Sequence, residues 1–429
     1  MIDIRYVREH SNEVRKNLRK RKNPALLKRL DSLLKIDDDW RKSKFEVDRL
    51  KHERNKISAQ INEAKKAGKD ITAIVKKAKE IPQKIVQLEE KQVKLFSEMK
   101  EHLMRIPNLL HESVPEGKDD KDNVEVRRVG KLPKFGFKPK NHFELLENLG
   151  LIDSERANKN SGHGFFYNKG DLALLDFALQ KFTIDFLSKR GYIVVNPPYM
   201  LRREPYEGVT DLADFETVMY KIEGDDLYLI ATSEHPMAAY YMDEILNNSD
   251  LPIKFCGISP CFRREVGSHG KYTKGLFRMH QFNKIEQFIF CNPKDSWKFH
   301  EELQKNAEDL YKALKIPYRV VNVCTGDIGI IAAKKYDTEM LMADGEYREV
   351  GSNSNCTDYQ ARRLNIRYRE SEGKPVAGFV HTLNNTAIAT SRTLIAIIEN
   401  NQNKDRTINI PKVLQPYMQE KKKIGPLKQ

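Results

Sequence analysis

The sequence predicts an α+β fold in which a long antiparallel pair of helices precedes a domain built on an antiparallel sheet with helices packed against it. Three observations carry this. Apolar stripes with 3-4 spacing fill most of residues 30 to 105; beyond residue 140, short strand-like runs alternate with amphipathic helices; and 429 residues are long for one core. We therefore expect an N-terminal helical domain over 1–105, a connector over 106–140 and a catalytic-sized domain over 141–429.

The first stripe runs Leu33, Ile36, Trp40, Ser43, Val47, Leu50, Arg54, Ile57, Ile61, Ala64, and the second Ile71, Ile74, Ala78, Ile81, Ile85, Leu88, Gln92, Leu95, Met99, His102. Such spacing suits a coiled-coil partner. The break at residues 66–70, Lys-Ala-Gly-Lys-Asp, leaves room only for a tight hairpin, so the two helices pack antiparallel. At about 1.5 Å per residue the second is ~50 Å long. Pro82 lies off the stripe and predicts a kink, not a stop. Residues 1–105 hold 29 Lys and Arg against 17 Asp and Glu, so +12 of the chain's net +14 sits in the first quarter. A field that localised points to a polyanion, most simply a nucleic acid. An oligomerisation stalk is the alternative reading of the arm alone; the basic excess favours RNA.

Prolines 107, 115, 133 and 139 and the acidic cluster 118–122 mark the connector. After it come the strand-like runs YIVVNPP (192–198), LYLIA (227–231), KFCGISPCF (254–262) and FIFC (288–291), whose short spacing favours antiparallel pairing. The composition, 39% apolar and 32% charged, is that of a soluble globular protein. No apolar run nears the ~18 residues of a membrane span, and MIDIRYVREH is neither a signal nor a transit peptide, so a cytoplasmic location is expected. The five cysteines are scattered without CxxC pairs; we expect buried free thiols and no zinc. GxxxxGK[ST], strand-GxGxxG-helix and HExxH patterns are absent. A nucleotide, if handled, must be held by side chains.

Residues 262–288, FRREVGSHGKYTKGLFRMHQFNKIEQF, read as a hairpin with a long, basic, glycine-bearing loop. Arg263, at the end of the outgoing strand, can hold a phosphate through its planar fork. Glu265, two residues on, points the same way and could accept from an exocyclic amine. Phe282 on the returning strand offers a flat face to a base, and Glu286 falls on the same face by period-two alternation. A structural Arg263–Glu265 salt bridge is the plain alternative.

With these residues in view, the chain closely resembles the seryl-tRNA synthetases, a class II aminoacyl-tRNA synthetase family. Residues 262–288 are similar to motif 2 of the class. The likeness runs from the MIDIRYVR start through the helical arm, DNVEVRRVG (122–130) and IPKVLQPYM (410–418). Residues 174–200 resemble motif 1, which forms the family's dimer interface; a core helix is its alternative. LYLIATSEHPM (227–237) resembles the serine-binding loop: Thr232 and Glu234 leave a strand and alternate onto one face, where the hydroxyl and the carboxylate would meet the substrate ammonium; a helix cap is the other reading of Thr-Ser-Glu. Residues 347–363 match the segment supplying Glu349, Val350, Gly351 and Ser352. The carboxylate and hydroxyl there are hard oxygen donors suited to Mg²⁺ held partly by ATP phosphates; a surface charge is the alternative for Glu349. Residues 381–402 resemble motif 3. Leu394, Ile397 and Ile398 give helical spacing, placing Arg392 in a first turn where the helix dipole adds to its charge; capping a neighbour is its plain role.

The resemblance implies a class II synthetase fold, an antiparallel catalytic sheet flanked by helices with an N-terminal coiled-coil arm. It implies ATP and Mg²⁺ as cofactors, L-serine as substrate, a homodimer, and serine tRNA bound by its long variable arm and acceptor end, with selenocysteine tRNA a second candidate. Activation of serine to seryl-adenylate would precede transfer to the tRNA. The ATP-binding set is Arg263, Arg264, Glu265, Met279, His280, Phe282, Glu349, Val350, Gly351, Ser352 and Arg392; the serine-binding set is Thr232, Ser233, Glu234, Arg263, Glu286, Asn384 and Thr386. Arg263, Arg392 and Glu349 carry the catalysis. Departures from the pattern are Lys271, Tyr272 and Lys274 in the loop, Ser391, which looks archaeal or eukaryotic, and Asn353 and Asn401 in place of Cys and Tyr. A carrier-protein aminoacylating relative would lack the arm, and a non-catalytic derivative would lose the phosphate ligands; this chain keeps both.

Overall fold

The computed structural model describes the chain except residues 69, 212–214, 266–274, 428 and 429 and the side chains of 73, 74, 77, 215 and 216. It divides into two compact units, Met1–Leu109 and Leu110–Gln429.

The first unit is helical: α1 (Ile4–Glu9), α2 (Ser11–Arg19), α3 (Pro24–Lys66) and α4 (Thr72–Arg105). Asn23 caps α3 by accepting from Ala25 N, and Pro24 occupies the first position, where a missing N–H costs nothing. Val47, Leu50 and Ile57 of α3 pack with Ile81 and Ile85 of α4 in one apolar seam. The pairing is antiparallel: Trp40 lies 6.4 Å from Phe96 near one end, Ser43 Oγ donates to Leu88 O at 3.4 Å, and Ile57 and Ile61 share the cluster of Ala78 and Ile81 further along. Helix α4 runs unbroken through Pro82, which is exposed, while Arg54, a stripe position, is exposed too. Asp37 is off the stripe yet only 2% exposed, because Arg8 of α1 grips it through Nε (2.9 Å) and Nη2 (2.8 Å). That ion pair is what the MIDIRYVR start does here: it folds α1 back on α3. Among the described residues, no helix is long and apolar enough to cross a membrane.

The second unit is built on eight strands: β1 (Val124–Val129), β2 (Ile193–Val195), β3 (Ile253–Phe262), β4 (Gln281–Cys291), β5 (Tyr318–Asn322), β6 (Lys334–Leu341), β7 (Tyr347–Thr357) and β8 (His381–Ala389). Their spatial order is β1-β5-β6-β7-β8-β4-β3-β2. Every neighbouring pair is antiparallel except β2–β3, which is parallel. Strand β1 lies inside the stretch read as a connector: it pairs along β5 with a bulge that leaves Val126 without a partner in the register.

Strand β4 shows how the sheet divides its labour. Ile285 and Ile289 face a core shared with Leu175 and Leu179 of α5 (Asp171–Ser188), Leu303 and Leu310 of α7 (Ser296–Ala313) and Leu394, Ile397 and Ile398 of α8 (Thr390–Asn400). The alternate residues Phe288 and Phe290 pack with Met237 of the short α6 (Glu234–Ala238) in a second cluster. Phe282, Lys284 and Glu286 continue that second face. Two bulges interrupt the alternation. Thr338 faces Gly351 but Glu339 faces Glu349, leaving Val350 unpaired in β7; Thr386 faces Glu286 but Ile388 faces Ile285, leaving Ala387 unpaired in β8. All five cysteines are free and buried.

Candidate active site

A cavity of about 450 Å³ opens on the second face of the sheet, over β4, β7 and β8. Arg263 and Arg392 both line it, as do Phe282, Glu349, Val350, Gly351, Ser352, Thr232, Glu234, Asn384 and Thr386.

At one end are the guanidinium groups. Strand β3 ends at Phe262, but Arg263 N still donates to His280 O at 3.0 Å, which fixes its backbone one residue beyond the strand. Its Nε donates to Ala231 O at 3.4 Å and its guanidinium lies 5.3 Å over the Phe282 ring. Arg392 sits in the first turn of α8, where its Nη1 donates to Glu349 O at 2.8 Å and stands 3.9 Å from Glu349 Oε2. The Glu349 side chain is 49% exposed to the cavity. Desolvation works against its ionisation, but Arg392, Lys335 and Arg263 outweigh it and hold the carboxyl below the usual range. Ser352 Oγ donates to Glu349 Oε1 at 3.3 Å. Residues three apart on a regular strand face opposite ways; the bulge at Val350 turns Glu349 onto the face of Ser352. Gly351 is required by a close approach, since a Cβ there would meet Thr386 Cβ at 2.9 Å.

The other end is a polar cluster. Asn384 Nδ2 bridges two carboxylates, donating to Glu234 Oε2 at 2.9 Å and to Glu286 Oε1 at 3.2 Å. Thr386 Oγ1 donates to Glu286 Oε2 at 3.4 Å. Burial and the nearby Glu286 push the Glu234 carboxyl up to about 7, against the pull of Lys284 and Arg263. Burial, with Lys284 and Arg263, pulls neighbouring His235 down to about 3, so its ring is neutral at physiological pH.

Several expectations meet a different geometry. Thr232 and Glu234 do not alternate along a strand: the chain turns into α6, and Thr232 Oγ1 accepts from Glu234 N at 3.2 Å, so the hydroxyl braces the turn before the helix as well as forming part of the wall. Ser233 is fully buried, packed beside Gly257, and does not reach the cavity. Glu265 does not follow Arg263 by strand alternation, because the strand has ended and its own φ is 46°; it pairs with Arg278 at 3.4 Å. Arg264 and Glu265 lie outside the wall, as does His280, stacked on Phe165 at 5.1 Å; Met279 lines a second cavity of about 310 Å³ that shares Phe282 with the first. Glu286 is 0% exposed and lies just behind the wall. Lys271, Tyr272 and Lys274 fall outside the described residues.

Sequence reasoning missed three charged groups. Lys284 lines the cavity and was within reach of the period-two argument that found Glu286. Lys335 also lines it and pairs at 3.2 Å with buried Asp337, whose carboxyl burial pushes up to about 7. No motif flags that pair; Asp337 is opposite Ser352 only through the β6–β7 register.

Comparison with known proteins follows the same lines. Residues 217–401 match the tRNA synthetase class II core domain (G, H, P, S and T), and residues 1–110 the seryl-tRNA synthetase N-terminal domain. The chain is 55% identical to the serine–tRNA ligase of Methanospirillum hungatei over 98% of its own length and 99% of the relative's. Its fold is similar to the seryl-tRNA synthetase of Pyrococcus horikoshii complexed with ATP, with a TM-score of 0.96 and 46% identity over 100% of both chains. The cytoplasmic serine–tRNA ligase of Naegleria fowleri in complex with AMP follows at TM-score 0.88 and 38% identity, covering 100% and 99%.

Proposed function

The chain belongs to the seryl-tRNA synthetases, class II serine–tRNA ligases, and from that premise we propose how its residues divide the two steps. First, a serine carboxylate oxygen attacks the α-phosphorus of ATP and pyrophosphate leaves. Then a terminal ribose hydroxyl of the tRNA attacks the carbonyl carbon of the adenylate, and AMP leaves. The attacking carboxylate is already ionised, so the first step needs no general base, only positioning and charge neutralisation.

Arg263 holds the α-phosphate and Arg392 the γ-phosphate. Phe282 stacks on the base, with Val350 and Gly351 beneath. Thr232 and Glu234 receive the ammonium; Asn384, Thr386 and, behind them, Glu286 receive the hydroxyl. The single observation that supports this reading is that both guanidinium groups and Glu234 line one cavity of about 450 Å³. Glu349 and Ser352 would hold Mg²⁺: their oxygens are hard, 3.3 Å apart and open to the cavity. When bound, Mg²⁺ neutralises phosphate charge.

The arm reads the long variable arm of serine tRNA through its basic surface. A homodimer forms on the motif 1 unit, where Leu174 (46%), Phe177 (67%) and Ile193 (58%) expose apolar surface that a second copy would cover. The cytoplasm is the expected compartment. The deciding experiment is ATP–pyrophosphate exchange with each amino acid in turn. Serine alone gives a strong signal, and Arg263→Ala abolishes it; a stronger response to threonine, or none to serine, rejects the assignment.

A further inference from the structure

Lys284 has no part in the scheme above, yet it is placed at the amino-acid end of the cavity. It is 6% exposed, a burial lysine seldom accepts unless paired. Its Nζ lies 2.5 Å from Glu286 Oε2 and 3.5 Å from Thr386 Oγ1. Lys284 and Thr386 line the cavity and Glu286 does not, so an incoming group meets the ammonium and the hydroxyl before the carboxylate.

The net charge of each subsite separates their roles. Glu234 accepts from two neutral amides, Asn384 at 2.9 Å and Gln360 at 3.4 Å, and so offers unneutralised negative charge when ionised, fit for an ammonium. Arg263 touches a carbonyl and an aromatic ring, which leaves its charge for an anion. Lys284 and Glu286 cancel each other. Their pair presents a donor and an acceptor with no net charge, which matches a neutral hydroxyl: O–H to the carboxylate, oxygen lone pair to the ammonium.

Resting on the proposed function above, we propose that Lys284 determines specificity for the amino-acid side chain, donating to the serine hydroxyl oxygen while fixing Glu286 to accept its hydrogen. Alanine offers neither partner and leaves both ions short of a hydrogen bond in a desolvated pocket. Glycine fails for the same reason.

The test is amino-acid-dependent ATP–pyrophosphate exchange, run at high enzyme concentration with serine and with alanine, for wild type, Lys284→Met and Lys284→Arg. Lys284→Met lowers kcat/KM for serine by ~10- to 100-fold, the range for loss of a charged hydrogen bond, while alanine kcat/KM and the KM for ATP move by less than about threefold. Lys284→Arg recovers part of the serine activity. If thermal unfolding shows that Lys284→Met does not fold, Lys284→Gln keeps a donor without the charge and should lose ~10-fold for serine alone. Equal losses for serine and alanine, or an unchanged serine KM, overturn the inference while leaving the proposed function standing. A wild-type enzyme without serine-dependent exchange would overturn both.

Discussion

Serine binding should tighten as pH rises through 7, because the ammonium-binding role proposed for Glu234 requires an ionised carboxylate and its carboxyl is pushed up to about 7 by burial and by Glu286. The sign follows from linkage: a raised carboxyl pKa favours the protonated form in the free enzyme, and the ligand draws the proton off. A group titrating near 7 is ionised to roughly one tenth at pH 6 and nine tenths at pH 8, so kcat/KM for serine should rise about tenfold across that interval, with about half a proton released per serine bound near pH 7. His235 does not confuse the profile, since its ring, held down to about 3, stays neutral throughout. Asp337 titrates in the same range but stands beside Lys335 and Ser352, so its effect belongs to the KM for ATP. The assay is ATP–pyrophosphate exchange against serine concentration, at saturating ATP, from pH 6 to 8, with Glu234→Gln alongside. A serine profile flat over this range in wild type, or a wild-type slope retained in Glu234→Gln, refutes the reasoning.

Three further outcomes follow from the geometry. Gly351→Ala, whose new Cβ would meet Thr386 Cβ at 2.9 Å, should raise the serine KM by ~10-fold in the exchange assay with the fold retained by circular dichroism. Replacing residues 45–86 by a short glycine-rich turn keeps the Arg8–Asp37 pair and the Ser43–Leu88 contact; exchange should stay within about twofold while tRNA charging falls at least ~100-fold, the loss expected when a multi-phosphate contact surface is deleted. On the proposed dimer, Phe177→Asp, at a position 67% exposed on α5, should halve the mass measured by light scattering; an unchanged mass would contradict an interface at this face.

What sequence revealed, and where it failed, follows the range of each signal. Heptad spacing is local, so the α3–α4 seam from Val47 to Ile85 could be read directly. Period-two alternation likewise carries from Phe282 to Glu286, because β4 runs without a break between them. Alternation failed where the backbone departs from it: at Glu265, whose φ of 46° follows a strand end, and at Glu234, where the chain turns into α6. Glu349 and Ser352 are an odd three residues apart, and only the bulge at Val350 brings them to one face. Resemblance supplied that pair; spacing alone would have separated it. Ser233 was grouped with its neighbours, but the turn that presents Glu234 packs Ser233 against Gly257 instead. The Lys335–Asp337 pair depends on a non-local strand register, which a linear motif does not encode.

The most direct test is a structure of the protein with a non-hydrolysable seryl-adenylate analogue. Its ammonium should lie within hydrogen-bond distance of Glu234, its phosphate isostere against Arg263, its base on Phe282 and its hydroxyl within hydrogen-bond distance of both Lys284 and Glu286. An analogue whose aminoacyl group lies outside the cavity, or whose base and phosphate occupy a cavity that excludes either Arg263 or Arg392, would contradict the account.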